Sequence, residues 1–301
     1  MTDSSSHPTG PTGPTGMLAH YRVELWSYDP PPATWALRSL PDEDFGTPTT
    51  ARHDGEGNAE SNTTVIERKL ALEDGVPPPY WTIRSEPLAA LDPVQREEVE
   101  LALQQSWWFR EARDVAGACR YRVVIVDHLH TGLDFAQRLS DLQRLVCAAP
   151  DDHPADAVYW QPTHQFLAAA PVRQSFLEDG FVNPLPGGLN VRLFDVPDLP
   201  GREPFKLMDT LGLGALGLRD FEIRYRGLDP EAVSQVLYHT AVYALEQRAA
   251  LREGETIQGP GDNDRWLLKE STSLAEPSRE VWDIDPGHPF AVDIESLDLG
   301  A

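Results

Sequence analysis

The order of elements in residues 210–248 constrains the fold of this chain more than any other stretch. It reads TLGLGALGLRDFEIRYRGLDPEAVSQVLYHTAVYALEQR. A glycine-punctuated apolar loop precedes a predicted strand, Asp220–Arg226, and a turn leads into a predicted helix, Pro230–Arg252, which Asp229 caps and Gly254 ends. An apolar stripe at helical spacing indicates that this helix covers a β-sheet. The stripe consists of Val233, Val236, Leu237, Thr240, Ala241, Ala244 and Leu245.

Strands and helices alternate through the rest of the chain. Period-two alternation or short β-branched runs predict further strands; these are 21–28, 65–73, 80–84, 120–130, 155–160 and 190–196, with weaker signals at 265–269 and 280–284. Helices are predicted to begin at Asp92, Asp134 and Pro171, the first with a capping box completed by Gln95. Polar or glycine-rich composition predicts loops at 41–63 and 204–218. The sequence therefore predicts an α+β fold, or mixed α/β, with helices packed on a mixed β-sheet.

The helix predicted at 134–147 shows a clear division of faces. One stripe is apolar and consists of Phe135, Leu139, Leu142 and Val146. Arg138, Asp141 and Arg144 fall outside this stripe, so they are predicted to face solvent.

Composition predicts three segments along the chain. Residues 1–17, MTDSSSHPTGPTGPTGM, are predicted to be a disordered tail. Residues 18–255 are predicted to form a single α+β domain, and a division into subdomains 18–170 and 171–255 is left open. Residues 256–301 are predicted to be an acidic C-terminal extension, since acids outnumber bases there.

The charge balance limits the partners that this chain can have. Forty-eight acids against 25 bases give a formal charge of −23. Such a chain repels nucleic acids and anionic membranes, whose binding needs clustered Lys and Arg. An acidic surface favours solubility, a basic protein partner or cations. Of these we predict a protein partner, with no nucleic acid and no membrane. Two cysteines, Cys119 and Cys147, make no disulfide framework, and neither a signal peptide nor a membrane-spanning run is evident, so a cytoplasmic location is expected.

No motif in the sequence predicts catalysis or cofactor binding. The letters GLGALG at 212–217 satisfy G-x-G-x-x-G, but a dinucleotide site needs a strand before the motif and a helix directly after it. Here a loop is predicted before the motif and a strand after it. The glycines are therefore interpreted as turn residues that let the neighbouring leucines plug the core. Neither a G-x-S-x-G elbow nor an H-E-x-x-H helix occurs in the chain.

Two histidines and three tryptophans are weaker candidates for a site. His128 and His130 are two apart on a predicted strand, so both imidazoles can meet one metal, although spacing fixes no third ligand. Trp107, Trp108 and Trp160 can line a ligand pocket, but aromatics on a buried stripe are more often core residues. The sequence therefore predicts no catalytic, cofactor or metal residue, and it leaves His128 and His130 as the metal candidates.

A family resemblance rests mainly on the glycine-rich stretch. Residues 210–222, TLGLGALGLRDFE, resemble the run T-L-G-[LM]-x-x-[LF]-G-[LM]-x-[DE]-[FL]-E of an uncharacterised bacterial family, domain of unknown function 4261. Three upstream stretches also resemble proteins with this domain: ALQQSWWF at 102–109, CRYRVVIVD at 119–127 and AVYWQPTHQFL at 157–167. The resemblance covers about residues 90–255 and is strongest at 210–248.

The resemblance carries no catalytic residue over to this chain, because the family has no agreed activity. Such proteins are associated with secreted toxin systems and immunity-type domains, which implies an interaction protein. The leading hypothesis is a non-enzymatic cytosolic binding or adaptor protein, of immunity type, that uses an acidic surface to bind a protein partner. The alternatives are a metal-assisted enzyme with a site near His128 and His130, and a structural subunit of a bacterial assembly.

Overall fold

The α+β fold is confirmed, and it is built on two β-sheets. The computed structural model describes residues 21–31, 44–53, 61–70, 78–128, 135–148, 154–196, 204–247 and 251–292. The predicted disordered tail, residues 1–17, lies outside the described residues. Each sheet has a hydrophobic core of its own, and a smaller cluster of buried residues lies around Trp26, Tyr159 and Phe166.

Within the described residues, the first sheet has seven strands, and all of its neighbouring strands are antiparallel. The strands are β1 (Arg22–Ser27), β2 (Thr49–His53), β3 (Ser61–Glu67), β4 (Tyr80–Pro87), β5 (Tyr121–His128), β6 (Ala157–Trp160) and β7 (Gln165–Ala168). Their order in the sheet is β2-β3-β4-β5-β1-β6-β7. The edges of this sheet are therefore β2 and β7.

The second sheet has six strands in the same part of the chain. They are β8 (Asn190–Val196), β9 (Phe205–Leu211), β10 (Asp220–Tyr225), β11 (Thr256–Gln258), β12 (Arg265–Thr272) and β13 (Glu280–Asp285). Their order is β11-β12-β13-β10-β9-β8, and β10 runs parallel to β13 while the other pairs are antiparallel. The predicted mixed sheet is this one. Three of its strands come from residues 256–285, the first part of the predicted acidic extension.

Helices cover both faces of the first sheet, because two of them pack around Trp26, Tyr159 and Phe166 on the face opposite its main core, and they cover one face of the second sheet. Those in the described residues are α1 (Pro93–Gln104), α2 (Ala112–Ala118), α3 (Phe135–Cys147), α4 (Ala169–Glu178), the short α5 (Leu185–Gly188) and α6 (Pro230–Gln247). Side chains of α3 and α4 enter the core of the first sheet, and those of α6 enter the core of the second. The predicted capping box of α1 is confirmed, because Gln95 N donates to Asp92 Oδ1 (2.9 Å) and Asp92 N donates to Gln95 Oε1 (3.2 Å).

Two segments that the sequence assigns to loops contain strands. Residues 41–63 include β2 and the start of β3, a hairpin at the sheet edge, where a strand needs little apolar sequence. Residues 204–218 include β9, and the prediction was wrong there for a different reason. Asp209 and Thr210 are both fully buried in that strand. Their polarity indicated a loop, although each is paired inside the protein.

The glycine-rich stretch after β9 is a tight connection that joins the two cores. Gly212, at φ +134°, leads into a 3₁₀ turn, Leu213–Leu216. Leu213 is buried in the core of the second sheet, whereas Ala215 is buried in the core of the first. The interpretation of this stretch as a core plug is therefore confirmed. A strand precedes the G-x-G-x-x-G letters, where the sequence predicts a loop, but strand β10 rather than an α-helix follows them.

The face of the second sheet opposite α6 carries a row of charged residues across five strands. Directly opposed neighbours along this row are Arg192, Asp209, Glu222, Asp283 and Lys269. The first four are at least nine-tenths buried. Arg192 holds Asp209 through two hydrogen bonds, Nε to Oδ1 (2.9 Å) and Nη2 to Oδ2 (2.5 Å). Buried charges require such pairing, so this face is an internal polar layer.

The connection between β12 and β13 closes one end of this polar layer. Arg279 Nη2 donates to Asp209 Oδ2 (2.7 Å), and Arg279 Nε donates to Asp220 Oδ2 (3.0 Å). Glu222 Oε2 accepts from the backbone N–H of Leu274 (2.9 Å) in the same connection. Arg192 Nη1 of β8 also donates to Glu276 O (2.8 Å), so the network fastens residues 273–279 onto strands β8, β9 and β10.

Helix α3 buries polar residues that the sequence assigns to its surface. Arg138 is 1% exposed and Asp141 is 0% exposed, whereas Arg144 is partly exposed. Arg138 Nε donates to Asp127 at the end of β5, and its guanidinium lies 5.0 Å from the centroid of the Tyr21 ring. The surface prediction for Arg138 and Asp141 was wrong because these side chains find polar or aromatic partners on the first sheet.

We expect Asp141 to make the stability of this protein fall as the pH rises from about 4 to about 7. Burial raises the pKa of Asp141 to about 6, although Arg68, Gln137 and Arg144 favour the charged form, while Asp44 opposes it. The native state keeps a proton that an unfolded aspartate, with a pKa near 3.9, has released. The group should therefore cost up to about 3 kcal/mol by pH 7.

Urea unfolding of the wild type and of Asp141→Asn, repeated across this pH range, measures the effect. The stability of the variant relative to the wild type should increase with pH, because asparagine has no proton to lose. Two stability curves that run parallel would contradict the expectation.

Candidate binding face around helix α6

Helix α6 presents a ridge of polar and aromatic side chains to solvent. Gln235, His239 and Tyr243 are four residues apart, so they lie along one side of the helix. All three are exposed, Tyr243 to 51%. The buried side of the helix consists of Val233, Val236, Leu237, Ala241 and Ala244. We call the exposed residues Gln235, His239 and Tyr243 the α6 ridge.

A cleft of about 400 Å³ lies on one side of the α6 ridge, between the two sheets. Its apolar wall consists of Leu167, Val172, Pro186, Leu189 and Val191. Trp108 also lines it and is 50% exposed. Gln165 adds a buried Oε1 that has no hydrogen-bond partner in the described part of the chain. We call this feature the Trp108 cleft.

Trp108 is held in place by the segment that follows α1. Ser106 Oγ accepts from Phe166 N of β7 (3.0 Å), and Trp107 Nε1 donates to Val191 O of β8 (2.9 Å). Gln105 adds a second contact to β8 by accepting from a backbone N–H there (3.2 Å). The ring of Trp108 stacks on Trp107 with 3.8 Å between centroids. Three consecutive residues thus join both sheets and fix the exposed indole.

A second groove, of about 760 Å³, lies on the other side of the α6 ridge. Its walls are the C-terminal half of α6 and residues 254–259, which include β11. Val236, Thr240, Tyr243, Leu251 and Ile257 supply most of its lining side chains. His239 lines both this groove and the Trp108 cleft. We call this second groove the β11 groove. The Trp108 cleft and the β11 groove therefore lie on opposite sides of helix α6.

His128, one of the two candidate metal ligands, contacts a threonine hydroxyl and a tyrosine ring. His128 Nε2 lies 3.0 Å from Thr82 Oγ1, and the imidazole stacks on Tyr80 with 4.8 Å between centroids. His130 lies outside the described residues. Among the residues that the structure does describe, no group of three or more His, Cys, Asp or Glu side chains is arranged to hold a metal ion.

The two cysteines are free thiols with raised pKa values. Burial raises the pKa of Cys119 to about 12 and the pKa of Cys147 to about 11. The thiolate form is the nucleophile in cysteine chemistry, so burial makes both side chains unreactive near neutral pH. Both cysteines therefore behave as small apolar side chains.

Sequence reasoning missed Trp108 as a surface residue. The helical spacing that assigns Trp107 and Trp108 to a buried stripe assumes that α1 continues through them, but α1 ends at Gln104. Trp160 is 0% exposed, as the core interpretation predicts. The exposure of Trp108 could be inferred only once the end of α1 is known, because residues 107 and 108 then lie outside the helical stripe.

Much of this face lies in a segment that matches a known family. The match covers residues 209–285, and the family is described as domain of unknown function DUF4261. This segment is a DUF4261 domain. The resemblance predicted at 210–248 lies inside the DUF4261 domain, whereas residues 90–208 lie outside the match. No curated protein and no solved structure matches the chain.

The DUF4261 domain contains α6 and every residue that lines the β11 groove. It does not contain Trp108, which comes from the preceding part of the chain. The domain runs from the last residues of β9 to the end of β13, so it includes residues 256–285 of the predicted acidic extension. None of the helices in the described ranges is long and apolar enough to cross a bilayer.

Proposed function

We propose that this protein is a non-enzymatic binding or adaptor protein of the cytoplasm, and that it docks a protein partner on the face around α6. The observation that carries this proposal is Trp108, which is half exposed on an apolar cleft and stacked on Trp107. A side chain already fixed in one orientation loses little freedom on binding. Exposed aromatic anchors of this kind supply much of the binding energy at protein interfaces.

The Trp108 cleft suits an apolar side chain of the partner that also carries a hydrogen-bond donor. Its walls are mainly aliphatic, and they would bury such a side chain beside the indole. The Oε1 of Gln165 is a buried acceptor without a described partner, so a donor on the bound side chain would satisfy it. Tyrosine and tryptophan combine both properties.

The charge of the chain supports a basic partner. A formal charge of −23 attracts a basic protein surface over a distance of about 10 Å and speeds its association. An immunity-type role, in which an acidic protein neutralises a basic effector, fits this charge. The contribution of charge should weaken at high salt, whereas the contribution of the Trp108 cleft should persist.

Replacing Trp108 with alanine should weaken binding of the partner by about thirtyfold or more, because an aromatic hot spot contributes about 2 kcal/mol or more. Tagged wild type and Trp108→Ala are used to capture proteins from the lysate of the source cells at low and high salt. A protein recovered with the wild type is then purified and titrated against both by calorimetry.

Leu177→Ala is the matched control, since Leu177 is 59% exposed on α4 and does not line the cleft. This variant should bind the partner as the wild type does. Equal binding by Trp108→Ala and the wild type would contradict docking at the cleft. Binding that is indifferent to salt would contradict the electrostatic part of the proposal.

A further inference from the structure

Strand β11 forms an open edge of the second sheet, next to α6. Ile257 pairs with Trp266 of β12, and Gly259 N donates to Asp264 O (3.3 Å). Since the backbone groups of an antiparallel strand alternate in direction, those of Thr256 and Gln258 point away from β12. No hydrogen bond to these outward backbone groups is formed within the described ranges. Two N–H and two C=O groups are therefore available for another strand.

The β11 groove lies directly along this open edge. Ile257 is buried in the core of the second sheet, and the groove continues from it to Thr240 and Tyr243 of α6. Its volume of about 760 Å³ is within the range of ligand pockets, which are roughly 300–1,000 Å³. A strand added to β11 would place alternate side chains between β11 and α6. The half-exposed ring of Tyr243 would become buried against them.

The surroundings of this edge are acidic. Residues 246–265 carry five acids and three bases, a net charge of −2, within a chain of net charge −23. Glu253 and Glu255 are exposed at the start of β11. The side chains of Thr256 and Gln258 are also exposed, and they carry no charge. An incoming strand therefore meets negative charge at the Glu253–Glu255 end of β11, whereas Arg265, which donates to Gln258 Oε1, places positive charge at the other end.

We infer that β11 accepts an extended, basic peptide segment as an added strand, with an apolar side chain of that segment in the β11 groove. The inference rests on the proposed function, for which it names the kind of partner segment and its mode of binding. Main-chain hydrogen bonds to Thr256 and Gln258 supply affinity that does not depend on peptide sequence. The β11 groove and the nearby carboxylates select apolar and basic side chains at alternate positions.

The substitution that tests this inference is Thr256→Pro. Proline removes the outward N–H of residue 256 and places its ring where the peptide would lie. The pairing with β12 involves the backbone groups of Ile257 and Gly259 instead, so an edge proline should leave the sheet intact. Thr256→Val is the matched control, because valine keeps the N–H and favours strand structure. Gln258→Pro removes the other outward N–H and replaces Thr256→Pro if that variant unfolds.

The probe is a phage-displayed library of random linear decapeptides, selected on the wild-type protein. Selected peptides should alternate basic and apolar residues. They should bind Thr256→Pro about tenfold more weakly than the wild type, a loss of about 1.4 kcal/mol, and bind Thr256→Val equally well. Bound peptide should also slow hydrogen exchange at the amides of Thr256 and Gln258.

Peptides that bind the proline variant as tightly as the wild type would overturn the inference, and so would a selection that yields no binder. If the selected peptides depend on Trp108 and not on Thr256, the proposed function stands and strand addition at β11 is wrong. If they depend on Thr256 while Trp108→Ala captures the cellular partner normally, strand addition stands and docking at the Trp108 cleft is wrong.

Discussion

Alanine at position 212 should destabilise the protein by about 3 kcal/mol or more, through backbone strain and overpacking together. Gly212 has φ +134°, a conformation that L side chains rarely adopt, and an added Cβ would overlap the carbonyl oxygen of Gly188. It would also lie 3.1 Å from Thr163 Cγ2. Neither neighbour can easily move, because Thr163 Oγ1 donates to Gly187 O (2.8 Å) and Gly188 packs closely on Leu139.

Substitutions at two other glycines of the same turn distinguish the effect of backbone strain from the effect of overpacking. A Cβ at Gly214 meets nothing within 4 Å, so Gly214→Ala should change the free energy of unfolding by about 0.5 kcal/mol or less. Gly217 has φ +73° but also open space, so Gly217→Ala should show backbone strain alone, about 1 kcal/mol. Urea unfolding should therefore rank position 212 well above 217, and 217 above 214. A cost at 212 no larger than at 217 would show that the approach to Gly188 is unimportant.

Arg279→Ala should cost about 3–5 kcal/mol, because it leaves buried carboxylates without their cation. Arg279 contacts Asp209 and Asp220 and also donates to the backbone carbonyls of Thr210 (2.7 Å) and Pro277 (2.9 Å). Both aspartates are almost fully buried, so water cannot replace the guanidinium. Thermal and urea unfolding of the variant and the wild type measure the loss.

The dependence of this loss on pH identifies its cause. Burial raises the pKa of Asp220, while Arg279 lowers it, so removing Arg279 should raise the folded pKa further. A group whose pKa is raised on folding loses stability as the pH rises, and the deficit of Arg279→Ala should therefore be larger at pH 8 than at pH 5. Arg113→Ala breaks an exposed ion pair with Glu100 and should cost about 1 kcal/mol or less. A deficit that does not change with pH would indicate lost packing.

The sequence predicts correctly those helices and strands whose caps, apolar stripes or alternating residues lie within a single short stretch. The capping box of α1, the apolar stripe of α6 and the strand at β10 lie where the sequence predicts them. These features depend on residues within a few positions of one another, so a single stretch contains the whole signal. The α+β class follows from the alternation of such stretches.

The burial of polar residues that are paired at long range was missed. Asp209 in β9 is buried because Arg192 and Arg279 bind it, and these residues are 17 and 70 positions away. Asp141 in α3 is buried under Arg68 of the first sheet. Polarity indicates exposure only when no partner is available, and the partner is set by the fold.

The candidate binding face could not be predicted for a related reason. The sequence gives Trp108 an apolar identity, but its exposure depends on where α1 ends and on contacts from Trp107 to β8. The β11 groove depends on the register of a three-residue strand whose pattern is too short to read. Composition predicts the acidic character of the chain. This limits the kind of partner that can bind, but it does not indicate where on the surface the partner binds.

The segment Gln105–Trp107 has a further consequence for how this protein behaves at high concentration. An unpaired sheet edge is a template for association with other chains, and natural proteins cover or charge such edges. By binding backbone groups of both β7 and β8, this segment blocks one edge of each sheet against edge-to-edge aggregation. Resistance to association through these two edges therefore depends on three side chains of a connecting segment and not on residues of β7 or β8 themselves.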